Sequence, residues 1–146
     1  MIKKKIIKNT IDHEILIEGF YEETKLIGII CPIAYYTFVS QINQKLAYDF
    51  KRDHELEVEY NQNYFSVYSH FDKLKNIESY LYVNRSRTEY LINESPKMDF
   101  IWLLKGNSIN QKLILELTTS IRKMNGVINC FAFDSALLKN RELLII

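Results

Sequence analysis

The chain has 146 residues, of which 47% are hydrophobic, and its 19 Lys and Arg nearly balance 18 Asp and Glu. This composition is typical of a single globular domain, here spanning residues 1–146, and excludes a disordered or collagen-like chain. The net charge of +1 excludes a strong overall basic field of the kind that attracts nucleic acid. Ten tyrosines and eight phenylalanines, against four glycines and two prolines, favour strands over flexible loops.

The first residues resemble the start of a secretory signal peptide only briefly. Residues 1–8 are rich in lysine, but polar side chains between Asn9 and Glu14 interrupt the apolar stretch that a signal requires. No run of about 18 uncharged apolar residues occurs anywhere, so no membrane-spanning helix is predicted. We therefore expect a cytoplasmic protein with no membrane partner.

The first part of the chain predicts strands on both sides of one helix. Short strands are predicted at 3–8 and 13–18, and a clearer one at 24–30, where β-branched residues predominate. Gly28, in the middle of that strand, indicates a bulge or a close backbone approach. Apolar residues then recur at helical spacing, which predicts a helix over 32–48.

The central part of the chain predicts an antiparallel meander. Residues 55–60 alternate between glutamate and apolar side chains, the pattern of a half-buried strand. After a short polar turn the strand 64–71 returns, and a third strand follows at 77–84. The segment 98–105 is the most apolar of all, so we place this fourth strand in the middle of the sheet.

A second helix and a last strand complete the predicted elements. Asn107 or Ser108 is expected to cap the helix, and Asn125-Gly126 to end it. A strand is predicted at 127–133, and the tail 136–146 is apolar enough that it should dock on the body. The apolar stripe of the helix is formed by Ile109, Leu113, Leu117, Ile121 and Met124.

This order of elements predicts an α+β fold. We expect one antiparallel-rich sheet with two main helices packed on one face. Because two strand–helix–strand units flank the meander, the preferred topology is ferredoxin-like with added strands.

Cysteines and histidines offer no predicted metal or catalytic site. Cys31 and Cys130 lie singly in apolar runs, which is typical of buried thiols, although a thiolate at Cys31 near the predicted helix start is the alternative. His13, His54 and His70 fall in three separate segments, without a second ligand at metal-binding spacing. No phosphate-binding glycine loop or nucleophile elbow is present. No catalytic residue, metal or cofactor is predicted.

The most informative polar groups lie between residues 84 and 100. Asp99 falls in the most apolar predicted strand, where an unpaired carboxylate is costly, so we expect it to reach Arg85, Arg87 or a backbone amide. A buried structural ion pair is the simpler interpretation, and a ligand-binding corner is the alternative. The candidate ligand-binding residues are Asn84, Arg85, Arg87, Glu94 and Asp99.

The same stretch resembles the signature of a bacterial family named for its Ile-Pro-Glu-x-x-x-Val-Asp-Tyr (IPExxxVDY) motif. Residues 92–100 read Ile-Asn-Glu-Ser-Pro-Lys-Met-Asp-Phe, with matches at Ile92, Glu94 and Asp99. Met98 replaces valine, phenylalanine replaces tyrosine, and an asparagine stands where the family has proline. The resemblance implies a small cytosolic bacterial protein with no established activity or cofactor, and it transfers no site residues.

Paired tyrosines supply the leading hypothesis for function. The third strand carries apolar or aromatic side chains on both faces, and two helices cover only one face, so Tyr64, Tyr68, Tyr80 and Tyr82 are predicted to form an interface. The leading hypothesis is therefore a non-enzymatic interaction module whose partner is a second copy or another cytosolic protein. The alternative is a small-molecule-binding domain or minor enzyme that uses the polar corner. RNA binding is a weaker third, because glutamates surround the tyrosines.

Overall fold

The computed structural model describes residues 10–146, so the strand predicted at 3–8 lies outside the described residues. Three short 3₁₀ helices lie between or after the longer elements, at His54–Leu56, Ser135–Leu137 and Arg141–Leu144. In chain order those longer elements are α1 (Thr10–Tyr21), β1 (Thr24–Ile30), α2 (Tyr35–Leu46), β2 (Lys51–Arg52), β3 (Val58–Tyr60), β4 (Asn63–Phe65), β5 (Val67–Asp72), β6 (Ile77–Val83), β7 (Phe100–Lys105), α3 (Gln111–Arg122) and β8 (Asn129–Phe133).

The main sheet has six strands in the order β2-β5-β6-β7-β1-β8, and all neighbours pair antiparallel. The predicted α+β class is confirmed. Strand β7 lies in the middle, where Trp102 pairs with Leu81 on one side and Ile27 on the other, as its apolar sequence predicts. Four strands and two helices have the order of the ferredoxin-like arrangement: strands β8-β1-β7-β6 in the sheet, with α2 and α3 in the connections. Strands β5 and β2 extend one edge of this sheet.

Helices α2 and α3 cover one side of the sheet, which we call the helix face. Helix α2 buries Phe38, Val39 and Ile42 there, at the helical spacing seen in the sequence. Both helices are shorter than predicted. Helix α3 is capped by Asn110, whose side chain accepts from the Leu113 N–H at 2.8 Å, rather than by Asn107 or Ser108. The Ser108 hydroxyl points elsewhere and donates to the carbonyl of Lys75.

The strand predicted at 13–18 is wrong, because these residues belong to helix α1. Ile15 and Ile17 suggested the alternation of a strand, but Ile15 is 61% exposed while Ile17 and Tyr21, one helical turn apart, are buried. Helix α1 lies on the other side of the sheet, where both residues join the second hydrophobic cluster.

The second side of the sheet, which we call the mixed face, is covered by α1 and by three irregular or short segments. These are the β3–β4 hairpin, residues 89–98 and the C-terminal tail 135–146, each of which contributes buried side chains to the same cluster. The predicted docking of the tail is confirmed, since Leu138 and Leu144 are buried. The predicted strand 64–71 is divided at Ser66, so that its first half pairs within the hairpin and its second half within the main sheet.

Gly28, for which a bulge or a close backbone approach was predicted, lies instead against two side chains. A Cβ at this residue would lie 2.5 Å from the Met98 sulfur and 3.0 Å from the Phe131 ring. The missing side chain therefore leaves the space into which residues 89–98 and strand β8 pack on the mixed face.

Candidate functional site

Asp99 and Arg85 form a buried clamp at the start of β7. The Arg85 Nε donates to one carboxylate oxygen of Asp99 at 2.7 Å, and the backbone N–H of Cys31 donates to the other, also at 2.7 Å. The Arg85 Nη2 donates in turn to the carbonyl of Ile33, and the guanidinium lies 5.7 Å from the Phe100 ring centroid. The carboxylate thus reaches both an arginine and a backbone amide, and it holds the connection from β1 to α2 in place.

Asn84 performs a second structural role beside the clamp. Its side chain is fully buried, accepts from the Ile92 N–H at 2.8 Å and donates to the carbonyls of Ile92 and Met98. All of these partners lie in residues 89–98, which have no regular secondary structure to satisfy their own backbone. Asn84 therefore replaces a strand partner for this segment.

The five predicted ligand-binding residues do not converge on one pocket. Asn84, Arg85 and Asp99 come together, but their polar groups are engaged. Asn84 bonds only to backbone groups, and Arg85 and Asp99 bond to each other and to one backbone group each. Glu94 lies apart, where its carboxylate accepts from the backbone N–H of Lys139 and so fastens the tail. Arg87 is exposed, and its side chain has no hydrogen bond or ion pair with any residue from 10 to 146.

Arg85 and Arg87 share a surface groove of about 530 Å³, which we call the arginine groove. Arg52 of β2 also lines it and forms an ion pair with Glu57, with a distance of 3.0 Å between Nη2 and Oε2. The groove therefore gathers three guanidinium groups, in a chain whose net charge is only +1. Two of them have ion-pair partners, Arg52 with Glu57 and Arg85 with Asp99, so among the described residues Arg87 alone of the three has none. The remaining lining residues are Tyr35, Gln62, Asn63, Tyr64, Ser66, Val83 and Ser86.

The sequence predicted only some of the residues that line the arginine groove. Arg85 and Arg87 were candidates because of their place near Asp99, whereas Arg52, Tyr35 and Glu57 were not. These three residues come from separate segments that meet through the pairing of β2 with β5 and the position of α2. No local spacing in the chain signals that meeting.

The tyrosines of the predicted interface do not form one exposed surface. Tyr82 is fully buried on the mixed face, where its hydroxyl donates to the Leu144 carbonyl, and burial raises its pKa well above the ordinary value. Tyr68 is buried on the helix face. Tyr80 is half-buried, and its hydroxyl donates a hydrogen bond to the Glu78 carboxylate. Tyr64 alone of the four is largely exposed, at 63%. The open aromatic face on which this prediction rested is covered by the segments of the mixed face.

The two thiols are not activated. Cys31 precedes α2 by four positions, and burial, together with the nearby Asp99 carboxylate, raises the pKa of its thiol. Burial raises the pKa of Cys130 to about 12. Because the thiolate is the nucleophilic form, the alternative of a reactive Cys31 is not supported.

Metal ligands are also dispersed over the described part of the chain. Between residues 10 and 146, no three His, Cys, Asp or Glu side chains meet closely enough to hold a metal ion. His70 is engaged otherwise, since its Nδ1 accepts from the Asp49 N–H at 3.2 Å and its ring packs on Tyr48. Over the same residues, no helix has the length and apolar character needed to span a bilayer.

Comparison with known proteins adds no identity. The chain matches no protein-family model, and no curated protein matches it. The resemblance of residues 92–100 to the IPExxxVDY motif stays a prediction.

Proposed function

We propose that this protein is a binding module that takes a small anionic ligand, bearing a phosphate or carboxylate group, in the arginine groove. The observation that carries the proposal is Arg87, a cation with no partner among the described residues, beside two further guanidinium groups. Arginine presents a fixed fork of N–H donors that matches phosphate and carboxylate oxygens, so three arginines in one concavity favour this class of ligand.

The clamp supports the proposal because it fixes one of these arginines before a ligand arrives. Arg85 is held by Asp99, by the Ile33 carbonyl and by the Phe100 ring, while its side chain stays 27% exposed toward the groove. A side chain that is already ordered loses little further conformational freedom on binding. Asp99 and Asn84 thus act as supports, and they are not expected to touch the ligand.

Two tyrosines favour a ligand with a planar part. Tyr35 and Tyr64 line the groove beside the arginines, and Tyr64 is 63% exposed. Aromatic faces pack on planar groups, and arginine also stacks on them. We therefore expect an anionic group on an aromatic or other flat scaffold to bind more tightly than a free inorganic anion.

The groove is better suited to binding than to catalysis. Its single carboxylate, Glu57, is paired with Arg52, and none of its lining residues is a histidine or a cysteine. The Ser86 hydroxyl donates to Asn63 and accepts from the Glu89 N–H, so it is not poised beside a general base. This arrangement supports recognition without a chemical step.

An NMR titration with inorganic phosphate and with citrate tests the proposal. Both probes should shift the amide and Nε signals of Arg52, Arg85 and Arg87, and added salt should weaken the binding. Arg87→Gln should weaken it about tenfold, since a charge-assisted hydrogen bond is lost. Lys112→Gln removes an exposed positive charge elsewhere and should have no effect. Unchanged affinity in Arg87→Gln, or shifts confined to other surfaces, would contradict the proposal.

Self-association stays a second proposal. The four tyrosines no longer support it, but strand β8 does, because it lies at an edge of the sheet among the described residues and carries no charged side chain. Its geometry is specific enough to carry a separate inference.

A further inference from the structure

We infer that strand β8 pairs antiparallel with the β8 of a second copy of this chain, about a two-fold axis at Ala132. The inference rests on the self-association proposal and is independent of the arginine groove, which lies toward the opposite edge of the sheet. Such pairing joins the two sheets into one continuous sheet.

The two edges of the sheet differ in how they are protected. Strand β2 forms one edge, has only two residues, and both of them, Lys51 and Arg52, are positively charged. Short length and charge are the usual means by which proteins prevent edge-to-edge pairing. Strand β8 forms the other edge, and residues 127–133 contain no charged side chain and no proline. Among the described residues only β1 pairs with β8, so its outer edge is open to another strand.

In β8, Ala132 is the residue whose backbone N–H and carbonyl are placed to pair with a second strand, and the direction of the Cys130 groups shows this. Cys130 directs its backbone groups outward, because its N–H donates to the Asn129 side chain and its carbonyl accepts from the Arg122 Nε, each at 2.8 Å. Since strand residues direct these groups alternately to either side, Ala132 faces the same way as Cys130. The small, exposed side chain of Ala132 leaves room for a second backbone to approach. Two copies of Ala132 can then exchange both of their N–H···O=C bonds. The ladder ends at Cys130, because its outward N–H and carbonyl are already bonded to Asn129 and Arg122.

Pairing at Ala132 fixes the neighbouring contacts, and they are complementary. Phe131 faces Phe133 of the second copy, so that these half-buried rings, 6.0 Å apart within one chain, form a cluster of four on the mixed face. Cys130 faces Asp134 of the second copy, and the Arg122 guanidinium lies beside Cys130. The two-fold symmetry therefore creates two opposite-charge pairs, each between Arg122 and Asp134 of the other copy.

The contact is small, so the expected complex is a reversible dimer. A single strand edge with its flanking side chains buries less area than a standard stable interface. We expect the monomer–dimer equilibrium to be visible between about 1 and about 100 μM, where sedimentation analysis reports both species.

Two variants test the register while sparing the fold. Ala132→Pro removes the outward N–H, which has no role in the ladder with β1, and should abolish the dimer. Asp134→Asn keeps a capping oxygen for the Ala136 N–H but removes the charge, and should weaken dimerisation about fivefold. Glu116→Gln, an equal charge change on an exposed α3 residue, should leave the equilibrium unchanged. Circular dichroism and phosphate titration of each variant verify the fold and the arginine groove independently.

Hydrogen exchange provides a readout that does not depend on any variant folding. The Ala132 amide should exchange slowly at high protein concentration and quickly on dilution. A wild-type protein that stays monomeric at about 100 μM would overturn the inference. So would a folded Ala132→Pro variant that still dimerises, or an Ala132 amide protected at every dilution, which would mean that the chain covers this edge itself.

Discussion

The two faces of the sheet are covered in different ways. On the helix face, α2 and α3 satisfy most of their backbone groups internally and bury mainly apolar side chains, such as Phe38 and Leu117. The buried Thr118 is polar, but its hydroxyl donates to the Ile114 carbonyl of the same helix. On the mixed face, residues 89–98 and the tail have little regular structure, so their backbone groups depend on side chains from the sheet. Asn84 and Tyr82 supply such partners. A helix can cover a sheet by hydrophobic contact alone, whereas an irregular segment also needs polar attachments.

The largest expected effect comes from breaking the clamp where the two faces meet. Asp99→Asn leaves Arg85 without its ion-pair partner and should reduce the free energy of unfolding by about 3 kcal/mol, the low end for a buried pair because Arg85 reaches solvent. Urea unfolding followed by the fluorescence of Trp102 measures this change. Asp49→Asn, in an exposed pair with Lys51, should cost less than about 0.5 kcal/mol. A stability equal to wild type in Asp99→Asn would show that the clamp is not stabilising.

A smaller effect is expected from filling the space at Gly28. Gly28→Ala forces a Cβ against Met98 and Phe131 and should destabilise the mixed face by about 2 kcal/mol. Gly19→Ala is the matched control: apart from its chain neighbours and the adjacent helix backbone, no described atom lies within 4 Å of the added methyl group, and it removes a glycine from helix α1. This control should stabilise the protein by about 1 kcal/mol. Thermal unfolding of both variants tests the contrast, which fails if both shift the midpoint in the same direction.

The smallest effect expected from a single group, about 1.4 kcal/mol at about pH 11 for each buried hydroxyl, is an alkaline sensitivity of the mixed face. Tyr21 and Tyr82 donate to tail carbonyls at Arg141 and Leu144, and burial raises the pKa of both hydroxyls above the ordinary value. A raised pKa means that the folded state retains protons that the unfolded state releases. The associated stability is therefore complete below about pH 10 and is lost above it, by up to about 1.4 kcal/mol per pH unit for each group.

Thermal unfolding between about pH 8 and about pH 11 measures this sensitivity. Tyr82→Phe loses the hydrogen bond to Leu144 at every pH, but its stability should decline less steeply above about pH 10 than that of wild type. Equal slopes for the two proteins would mean that Tyr82 does not couple the tail to pH.

The sequence predicts the helix face and the sheet better than the mixed face. Helical spacing around Phe38 and Leu117, and the apolar run of β7, reflect contacts that each element makes repeatedly along its own length. The strand predicted at 13–18 is helix α1 instead, because burial follows the helical spacing of Ile17 and Tyr21 and not the two-residue spacing of Ile15 and Ile17. The tail was predicted to dock, but nothing in its sequence indicates that Tyr82 would receive it.

The candidate site shows the same division. Asp99 was recognisable because a carboxylate in an apolar strand requires a partner, and Arg85 was a named candidate for that partner. The arginine groove was not recognisable as a whole, because Arg52 reaches it through the pairing of a two-residue strand. Long-range meetings of this kind depend on topology, and no local pattern encodes them.

The position of β1 in the sheet has a consequence for synthesis on the ribosome. This strand is made early, at residues 24–30, yet both of its neighbours come late, at residues 100–105 and 129–133. Until those residues have left the exit tunnel, Leu26, Ile27 and Ile29 have no strand beside them, although all three are buried in the finished fold. Contacts so distant along the chain slow folding and prolong the exposure of apolar strands. The nascent chain should therefore be a strong client of ribosome-associated chaperones until β7 and β8 emerge.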